Sequence, residues 1–204
     1  MANGSSDGVG DLLSRPALEV APRLLGAVFR AGDVAVRLTE VEAYLGEGVD
    51  PGSHAYRGPT ARTATMFAGG GALYVYLSYG IHRCVNIVCG PAGEASAVLL
   101  RAGEVVAGLD EARRRRPTSR SDVDLARGPG RLGSALAIDL ADDGARLDHS
   151  RFALSLADPL PDIVSGPRVG VAGPAGTDEF SWRFAIPGEP TVSAYRAATP
   201  RTRR

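Results

Sequence analysis

Lysine and glutamine are absent from the 204-residue sequence, and asparagine occurs only at Asn3 and Asn86. All 23 basic residues are therefore Arg. Without a lysine ε-amine, no Schiff base can form on such a side chain, and there is no phosphate-loop lysine for nucleotide hydrolysis. A side-chain amide inside the fold is expected to be that of Asn86.

Cysteine is scarce, and long apolar runs are missing. Cys84 and Cys89 do not make a disulfide framework. Their spacing sends them to opposite faces of a regular strand, so we expect small core residues and no metal site. No apolar stretch approaches the roughly 20 residues of a membrane span, and residues 1–8 lack the pattern of a signal peptide. The sequence predicts a cytoplasmic protein, nucleoid-associated in a bacterium, with no membrane partner.

The formal net charge is zero, but the charges are unevenly distributed. Residues 1–50 carry −4, residues 51–131 carry +5 from 11 Arg against six acidic residues, and residues 132–204 carry −1. A basic middle segment can form a local positive surface on a neutral protein. A scatter of solvated arginines explains the same counts equally well.

The chain is 44% hydrophobic, which is enough to bury a domain core. We expect a disordered tail over residues 1–10, one domain over residues 11–196 and an Arg-rich tail over residues 197–204. The mixture of short strands and helices predicts an α+β fold. We expect a single compact domain with a curved antiparallel sheet, a protruding β-hairpin and surrounding helices.

Alternation of β-formers predicts a strand over residues 34–44, with Glu42 on the same face as Val34 and Leu38 and thus toward the core. Two β-rich runs around residues 78–81 predict a hairpin with Tyr79 at its tip. The patterns also predict strands at 95–101, 152–156, 168–171 and 182–185, one or two short helices within 11–25, and helices at 104–116 and 132–138.

Glu42 is the first candidate for chemistry. A lone Glu at a strand end is usually hydrogen-bonded or exposed, but Tyr44 shares its face and His54 follows in a long polar loop. A carboxylate among aromatic rings and an Arg can stay ionised and act as a general base on water. Tyr76 and its neighbours fit ordinary sheet packing and a flat-walled pocket about equally well. Tyr79, exposed on a turn, suits a wedge between stacked bases.

Eight short segments carry a family pattern. They are EAYLG (42–46), SHAYRG (53–58), TAR (60–62), MF (66–67), LYVYLSYG (73–80), AVLLRA (97–102), GPGRL (128–132) and RVGV (168–171). Their ordered set resembles the alkyladenine type of 3-methyladenine DNA glycosylase, a base-excision repair family. The resemblance covers about residues 10 to 194. The chain departs from the family pattern in the loop at residues 48–51 and at Ile81, where Met is frequent in relatives.

The resemblance implies a role for each matching residue. Glu42 deprotonates the water that attacks the sugar C1′, and Arg101 lies near that water and the phosphate. Tyr44, His54 and Tyr76 sandwich the extruded base, Asn86 excludes the 2-amino group of normal guanine, and Tyr79 fills the gap in the duplex. Candidate phosphate contacts are Arg57, Arg62, Arg83 and Arg131. The resemblance also implies no metal or organic cofactor.

These features together predict a monomeric enzyme that binds double-stranded DNA containing damaged purines. It flips an alkylated or deaminated purine from the duplex and hydrolyses the N-glycosidic bond. The absence of lysine predicts a monofunctional glycosylase without lyase activity. One alternative is a catalytically inactive DNA-binding protein of the same fold, which would not need a buried Glu42. A second is a hydrolase of small nucleosides, which would not need an exposed Tyr79.

Overall fold

The computed structural model describes residues 6–148 and 150–198. In this part of the chain, four α-helices and five short 3-10 helices accompany eight strands. The α-helices are α1 (Ser6–Leu13), α2 (Ala17–Arg23), α3 (Leu109–Arg115) and α4 (Pro129–Ala135). The strands are β1 (Val28–Ala31), β2 (Val34–Leu45), β3 (Leu73–Ser78), β4 (His82–Val88), β5 (Ser96–Ala107), β6 (Phe152–Ser155), β7 (Val164–Gly166) and β8 (Arg183–Ala185). The 3-10 helices span Ala64–Phe67, Asp122–Asp124, Leu140–Asp142, Pro174–Gly176 and Asp178–Phe180.

The strands form one antiparallel sheet in the order β3-β4-β5-β2-β1-β6. The first half of β2 pairs with β1 and its second half with β8, which in turn pairs with β7. The predicted α+β class, a single domain built on an antiparallel sheet, is confirmed. Within the described residues, no helix is long and apolar enough to cross a membrane.

The two faces of the sheet differ in what covers them. The main apolar core takes residues from all four α-helices, among them Leu12, Val20, Ala112 and Leu132, together with one face of the long strands. A smaller cluster gathers Met66, Tyr74 and Ala97, with Tyr44 and Tyr76 packed against it. The small cluster forms the floor of an open cleft. One face of the sheet therefore packs on the main core, and the other faces the cleft.

Strand β2 does not keep one alternation along its length. Its residues in the main core are Val34, Val36 and Leu38, and then Val41 and Ala43. The pairing with β5 is irregular on both sides of Glu40, so two residues lie between consecutive core positions and the pattern changes phase. The prediction that Glu42 shares a face with Leu38 is therefore wrong. Bulges of this kind are common beside active sites, where they re-aim side chains.

The predicted hairpin is confirmed as β3 and β4 joined by a turn at residues 79–81. Tyr79 and Gly80 both have positive φ, 50° and 72°, as tight hairpin turns with the twist of the strands require. Helix α4 packs against β4 through glycine. A Cβ on Gly133 would lie 2.2 Å from the carbonyl oxygen of Arg83, and one on Gly130 would meet the ring of His82 at 2.7 Å.

Three other predictions from the sequence are wrong. Residues 104–107 extend β5 because they pair with β2, and the helix begins only at Leu109, after Gly108 with φ 71°. Residues 168–171 form a loop, in which Arg168 binds the side chain of Asp50 in another loop and the backbone N–H of Val169 binds Glu42 of β2. Helix α1 begins at Ser6, inside the segment predicted to be disordered, because its apolar residues pack on the core. Residues 1–5 and 199–204 of the predicted tails lie outside the described residues.

Candidate active site

A cleft of about 1050 Å³ opens over the sheet face that bears the small apolar cluster. Four adjacent strands place one residue each in a row across it: Tyr74 is paired with Asn86, Asn86 with Leu99, and Leu99 with Glu42. Paired residues of neighbouring strands point to the same face. The sheet register therefore brings together residues that are up to 57 positions apart in the chain.

Glu42 is fully buried, and three donors hold its carboxylate. Oε2 accepts hydrogen bonds from the Tyr44 hydroxyl at 2.9 Å and from Nη1 of Arg101 at 3.2 Å. Oε1 accepts one from the backbone N–H of Val169 at 2.7 Å. Tyr44, Arg101 and Val169 all line the cleft, so the carboxylate lies directly behind its wall. These three contacts fix the orientation of the carboxylate.

A second buried carboxylate, Glu40, lies on the other side of Arg101. Its Oε1 accepts from Nε of Arg101 at 3.0 Å and from Nε of Arg183 at 2.6 Å, and its Oε2 accepts from the backbone N–H of Ser193 at 2.8 Å. Burial raises the pKa of Glu40, but the charge of Arg101 and the hydrogen bond from Ser193 outweigh it and hold the pKa below its ordinary value. Burial likewise lowers the pKa of Arg101, and the charges of Glu42 and Glu40 more than reverse this.

Aromatic rings form one wall of the cleft. The rings of Tyr74 and Tyr76 are stacked at 5.5 Å, and His54 meets Tyr76 edge-on at 4.7 Å. Nδ1 of His54 lies 3.1 Å from the Tyr74 hydroxyl. Burial, followed by the nearby charge of Arg62, lowers the pKa of His54, so the imidazole is neutral at neutral pH. Burial is the first cause that raises the pKa values of Tyr44 and Tyr76, so both phenols are neutral as well.

Asn86 and Cys84 complete the floor of the cleft. Asn86 is buried, and its Nδ2 donates to the backbone carbonyl of Tyr74 at 3.0 Å. This hydrogen bond fixes the orientation of the amide. Burial raises the pKa of the Cys84 thiol to about 11, so the thiol is protonated at neutral pH. In the described part of the chain, no group of three or more His, Cys, Asp and Glu side chains is placed to hold a metal ion.

Comparison with known families agrees with the motifs in the sequence. The family model for methylpurine-DNA glycosylase matches residues 11–190. The chain belongs to this family. The resemblance inferred from the sequence is thereby confirmed, and with it the assignment to DNA repair. The family assignment supports a hydrolase that acts on alkylated bases in DNA.

Relatives of the glycosylase cover most of its length. A protein of Leifsonia xyli is 55% identical over 194 residues, which is 91% of each chain. A protein of Nocardia farcinica is 58% identical over 184 residues, 86% of this chain and 85% of the relative. A protein of Streptomyces avermitilis is 50% identical over 203 residues, 95% and 94% of the two chains. Each is provisionally named a 3-methyladenine DNA glycosylase.

The hairpin tip of the glycosylase borders the cleft. Tyr79 lines the cleft, yet 89% of its surface is exposed, and Ile81 in the same turn is 69% exposed. An aromatic side chain with so little packing inside the protein can be buried only by contact with a binding partner. The structure places this residue beside the cleft, where the sequence-based wedge hypothesis requires it.

The four candidate phosphate contacts of the glycosylase occupy different settings. The guanidinium of Arg62 lies 5.8 Å from the centroid of Tyr76, at the aromatic wall. Arg57 is exposed on the same loop. Arg83 pairs with Asp139 at 3.0 Å, and Arg131 pairs with Asp124. The structure thus brings Arg62 to the cleft, while Arg83 and Arg131 already have acidic partners.

Sequence reasoning missed the structural role of Arg168 and Asp50. Both are fully buried, and two hydrogen bonds of 2.7 Å join the guanidinium to the carboxylate. The guanidinium also lies 4.5 Å from the centroid of the Tyr44 ring and 5.1 Å from that of Trp182. Arg168 thus supports Tyr44 from behind, and the next residue, Val169, binds Glu42. The RVGV motif marked this position, but a contact between residues 118 positions apart has no local signature.

Proposed function

We propose that the cleft accepts an alkylated or deaminated purine that has been flipped out of duplex DNA, and that Glu42 activates the water that hydrolyses its N-glycosidic bond. The observation that carries this proposal is the fully buried Glu42 carboxylate, held by three donors behind a cleft with aromatic walls. Binding alone requires no buried acid. A buried carboxylate is expensive unless it is hydrogen-bonded, and here its three donors all come from residues that line the cleft.

Within the described residues, the hydrogen bonds of Glu42 leave one lone-pair site of its carboxylate unused. A carboxylate offers about four lone-pair sites on its two oxygens. Tyr44 and Arg101 use two sites on Oε2, and Val169 uses one on Oε1. The remaining site on Oε1 can accept a hydrogen bond from the attacking water. Arg101 lines the cleft beside it and is a cation available to the phosphate of the same nucleotide.

The wall of the cleft suits a flat and cationic guest. Alkylation at a ring nitrogen leaves a purine positively charged, and such a base gains from contact with aromatic faces. Tyr44, Tyr76 and His54 line the cleft, and none of the three is positively charged at neutral pH. The amide of Asn86, fixed by Tyr74, supports its proposed role in excluding the 2-amino group of normal guanine. The exposed Tyr79 would replace the flipped base in the stack.

The proposed enzyme is monofunctional. Glycosylases that also cleave the backbone need an amine that forms an imine with the sugar, and the chain contains no lysine. The product is therefore an intact abasic site in double-stranded DNA. Arg62, whose guanidinium lies 5.8 Å from the centroid of Tyr76, is the proposed phosphate contact at the aromatic wall, and the exposed Arg57 lies on the same loop. Trapping with borohydride tests the absence of lyase chemistry, because recovery of a covalent enzyme–DNA adduct would contradict it.

The decisive experiment is single-turnover release of base from duplexes that contain 3-methyladenine, 7-methylguanine, hypoxanthine or ethenoadenine. Glu42→Gln should lower the rate by about 10²- to 10⁴-fold, the usual contribution of a general base, while duplex binding persists. Glu104→Gln is the matched control, because Glu104 is a half-exposed carboxylate on the neighbouring strand. A wild-type protein that binds lesions but releases no base would identify a binding protein of the same fold. A Glu42→Gln variant as fast as wild type would refute the role of Glu42.

A further inference from the structure

Arg101 lies between two fully buried carboxylates, and only one of them has a role in the proposed reaction. Its Nε donates to Glu40 at 3.0 Å, and its Nη1 donates to Glu42 at 3.2 Å. The Arg101 side chain is 7% exposed, and both Glu side chains are fully buried. Strong electrostatic coupling among the three groups follows, because little water separates them.

Glu40 accepts hydrogen bonds from three donors, although it does not line the cleft. In addition to Arg101 it binds Nε of Arg183 at 2.6 Å and the backbone N–H of Ser193 at 2.8 Å. The residues that line the cleft include Arg101 but not Glu40. Glu40 lies behind the wall of the cleft, as Glu42 does, and it is linked to Glu42 through the guanidinium that both carboxylates bind.

We propose that Glu40 is a positioning residue that fixes the guanidinium of Arg101 through Nε and offsets its charge, so that Glu42 stays basic enough to deprotonate water. This inference rests on the proposed function of Glu42. Without Glu40, Arg101 would direct its whole charge at Glu42 and would lose the contact that fixes its orientation. Glu42 would then hold its negative charge more strongly and would be a weaker base.

The charged surroundings of both carboxylates determine the sign of the effect. Glu42 faces the cations Arg101 and Arg168, has Arg183 as its cross-strand partner on β8, and also faces the neutral groups Tyr44, Tyr76 and Cys84. Glu40 faces the cations Arg101 and Arg183 and the amide of Ser193. Removal of the negative charge of Glu40 thus leaves an excess of positive charge around Glu42. We therefore expect the acid limb of the rate profile to move to lower pH.

The test measures single-turnover base release against pH on a duplex that contains 7-methylguanine. This base carries a fixed positive charge, so its departure needs no protonation and the acid limb reports on the enzyme. In Glu40→Gln the acid limb should move by about one pH unit to lower pH, as expected for loss of a nearby charge, and the plateau rate should fall. Glu40→Asp restores the charge and should return the limb toward its wild-type position.

Asp142→Asn is the matched control. Asp142 is a buried carboxylate that pairs with Arg151 and does not line the cleft. Its loss should leave the acid limb unmoved. Arg183→Met provides a second variant with the opposite sign: it removes a cation from Glu40 and should move the limb to higher pH. This variant also keeps the proposal testable if Glu40→Gln does not fold.

The outcomes separate this inference from the proposed function. An acid limb that stays in place in folded Glu40→Gln, or in Arg183→Met, overturns the role of Glu40 while Glu42→Gln still abolishes base release. An equal shift in Asp142→Asn also overturns it, since the effect would then follow from any buried pair. If Glu42→Gln keeps the wild-type rate, the proposed function itself fails.

Discussion

The Asp50–Arg168 pair provides the strongest test of what stabilises the site. Asp50→Asn keeps the size of the side chain and one acceptor oxygen but removes the charge that faces a fully buried guanidinium. Removal of one partner of a buried ion pair typically costs about 3–5 kcal/mol, because the other charge stays buried. For a chain of this size each kcal/mol lowers Tm by about 2–4 °C. We therefore expect Tm to fall by roughly 6–20 °C, and nearer the lower end because Asn still accepts one hydrogen bond.

The chain offers a control on the surface, where an Asp and an Arg are also joined by two hydrogen bonds. Asp122 binds Arg113 with two hydrogen bonds of 2.9 and 2.8 Å, and both side chains are half exposed. Asp122→Asn should leave Tm within experimental error, since exposed pairs contribute little. The measurement is thermal and urea denaturation followed by circular dichroism. Equal shifts in the two variants would refute the reasoning, because the two pairs differ mainly in burial.

The same substitution should affect catalysis at temperatures where the variant remains folded. Arg168 lies behind the Tyr44 ring, and Val169 donates to Glu42. Loss of the Asp50 contact frees the loop that carries both residues. We expect slower base release by Asp50→Asn at about 25 °C, whereas Asp122→Asn should retain the wild-type rate. An Asp50→Asn variant that is unstable but fully active would show that the pair stabilises the fold without positioning the site.

Two further predictions concern the hairpin and the acid stability of the fold. Tyr79→Ala should weaken binding to lesion-containing duplex by about 10-fold, since stacking of one aromatic side chain on a base contributes about 1–3 kcal/mol. Fluorescence anisotropy measures this, and an unchanged Kd would rule out the wedge. Because the pKa of Glu40 lies below its ordinary value of 4.5 in the folded protein, its ionised form stabilises the fold above that pH. This contribution disappears as the pH falls through the folded pKa. The difference in unfolding free energy between wild type and Glu40→Gln should therefore shrink below pH 4.5, and a difference that stays constant with pH would contradict it.

Local patterns sufficed for the elements with strong β-formers. The alternating Tyr, Val and Leu residues of β3 and the turn at residues 79–81 identified the hairpin, and Val34–Leu45 was recognised nearly to its ends. Residues 104–107 were misread because Glu, Val and Ala are compatible with either helix or strand. Their pairing with β2, distant in sequence, decided the outcome.

The site was predictable in its residue types but not in its geometry. The motifs contain Glu42, Tyr44 and Tyr76, and the structure brings these residues together with Asn86 around one cleft. The change of phase in β2 was not visible in the sequence, since nothing at Thr39 signals that two residues will separate consecutive core positions. Nothing in the sequence distinguishes Glu40 from the other residues of the predicted strand, and only the fold reveals that it shares Arg101 with Glu42.

The close approach of α4 to β4 has a mechanical consequence. A hairpin that bends on insertion between stacked bases would take up part of the energy of insertion as its own deformation. Here the backbone of α4 at Gly133 lies against the backbone of β4, and Gly130 lies against His82, next to the turn. Only residues 79–81 extend beyond this support. Under the proposed wedge role of Tyr79, the protein would meet the duplex with a short hairpin tip supported at its base, and we expect most of the deformation to occur in the DNA.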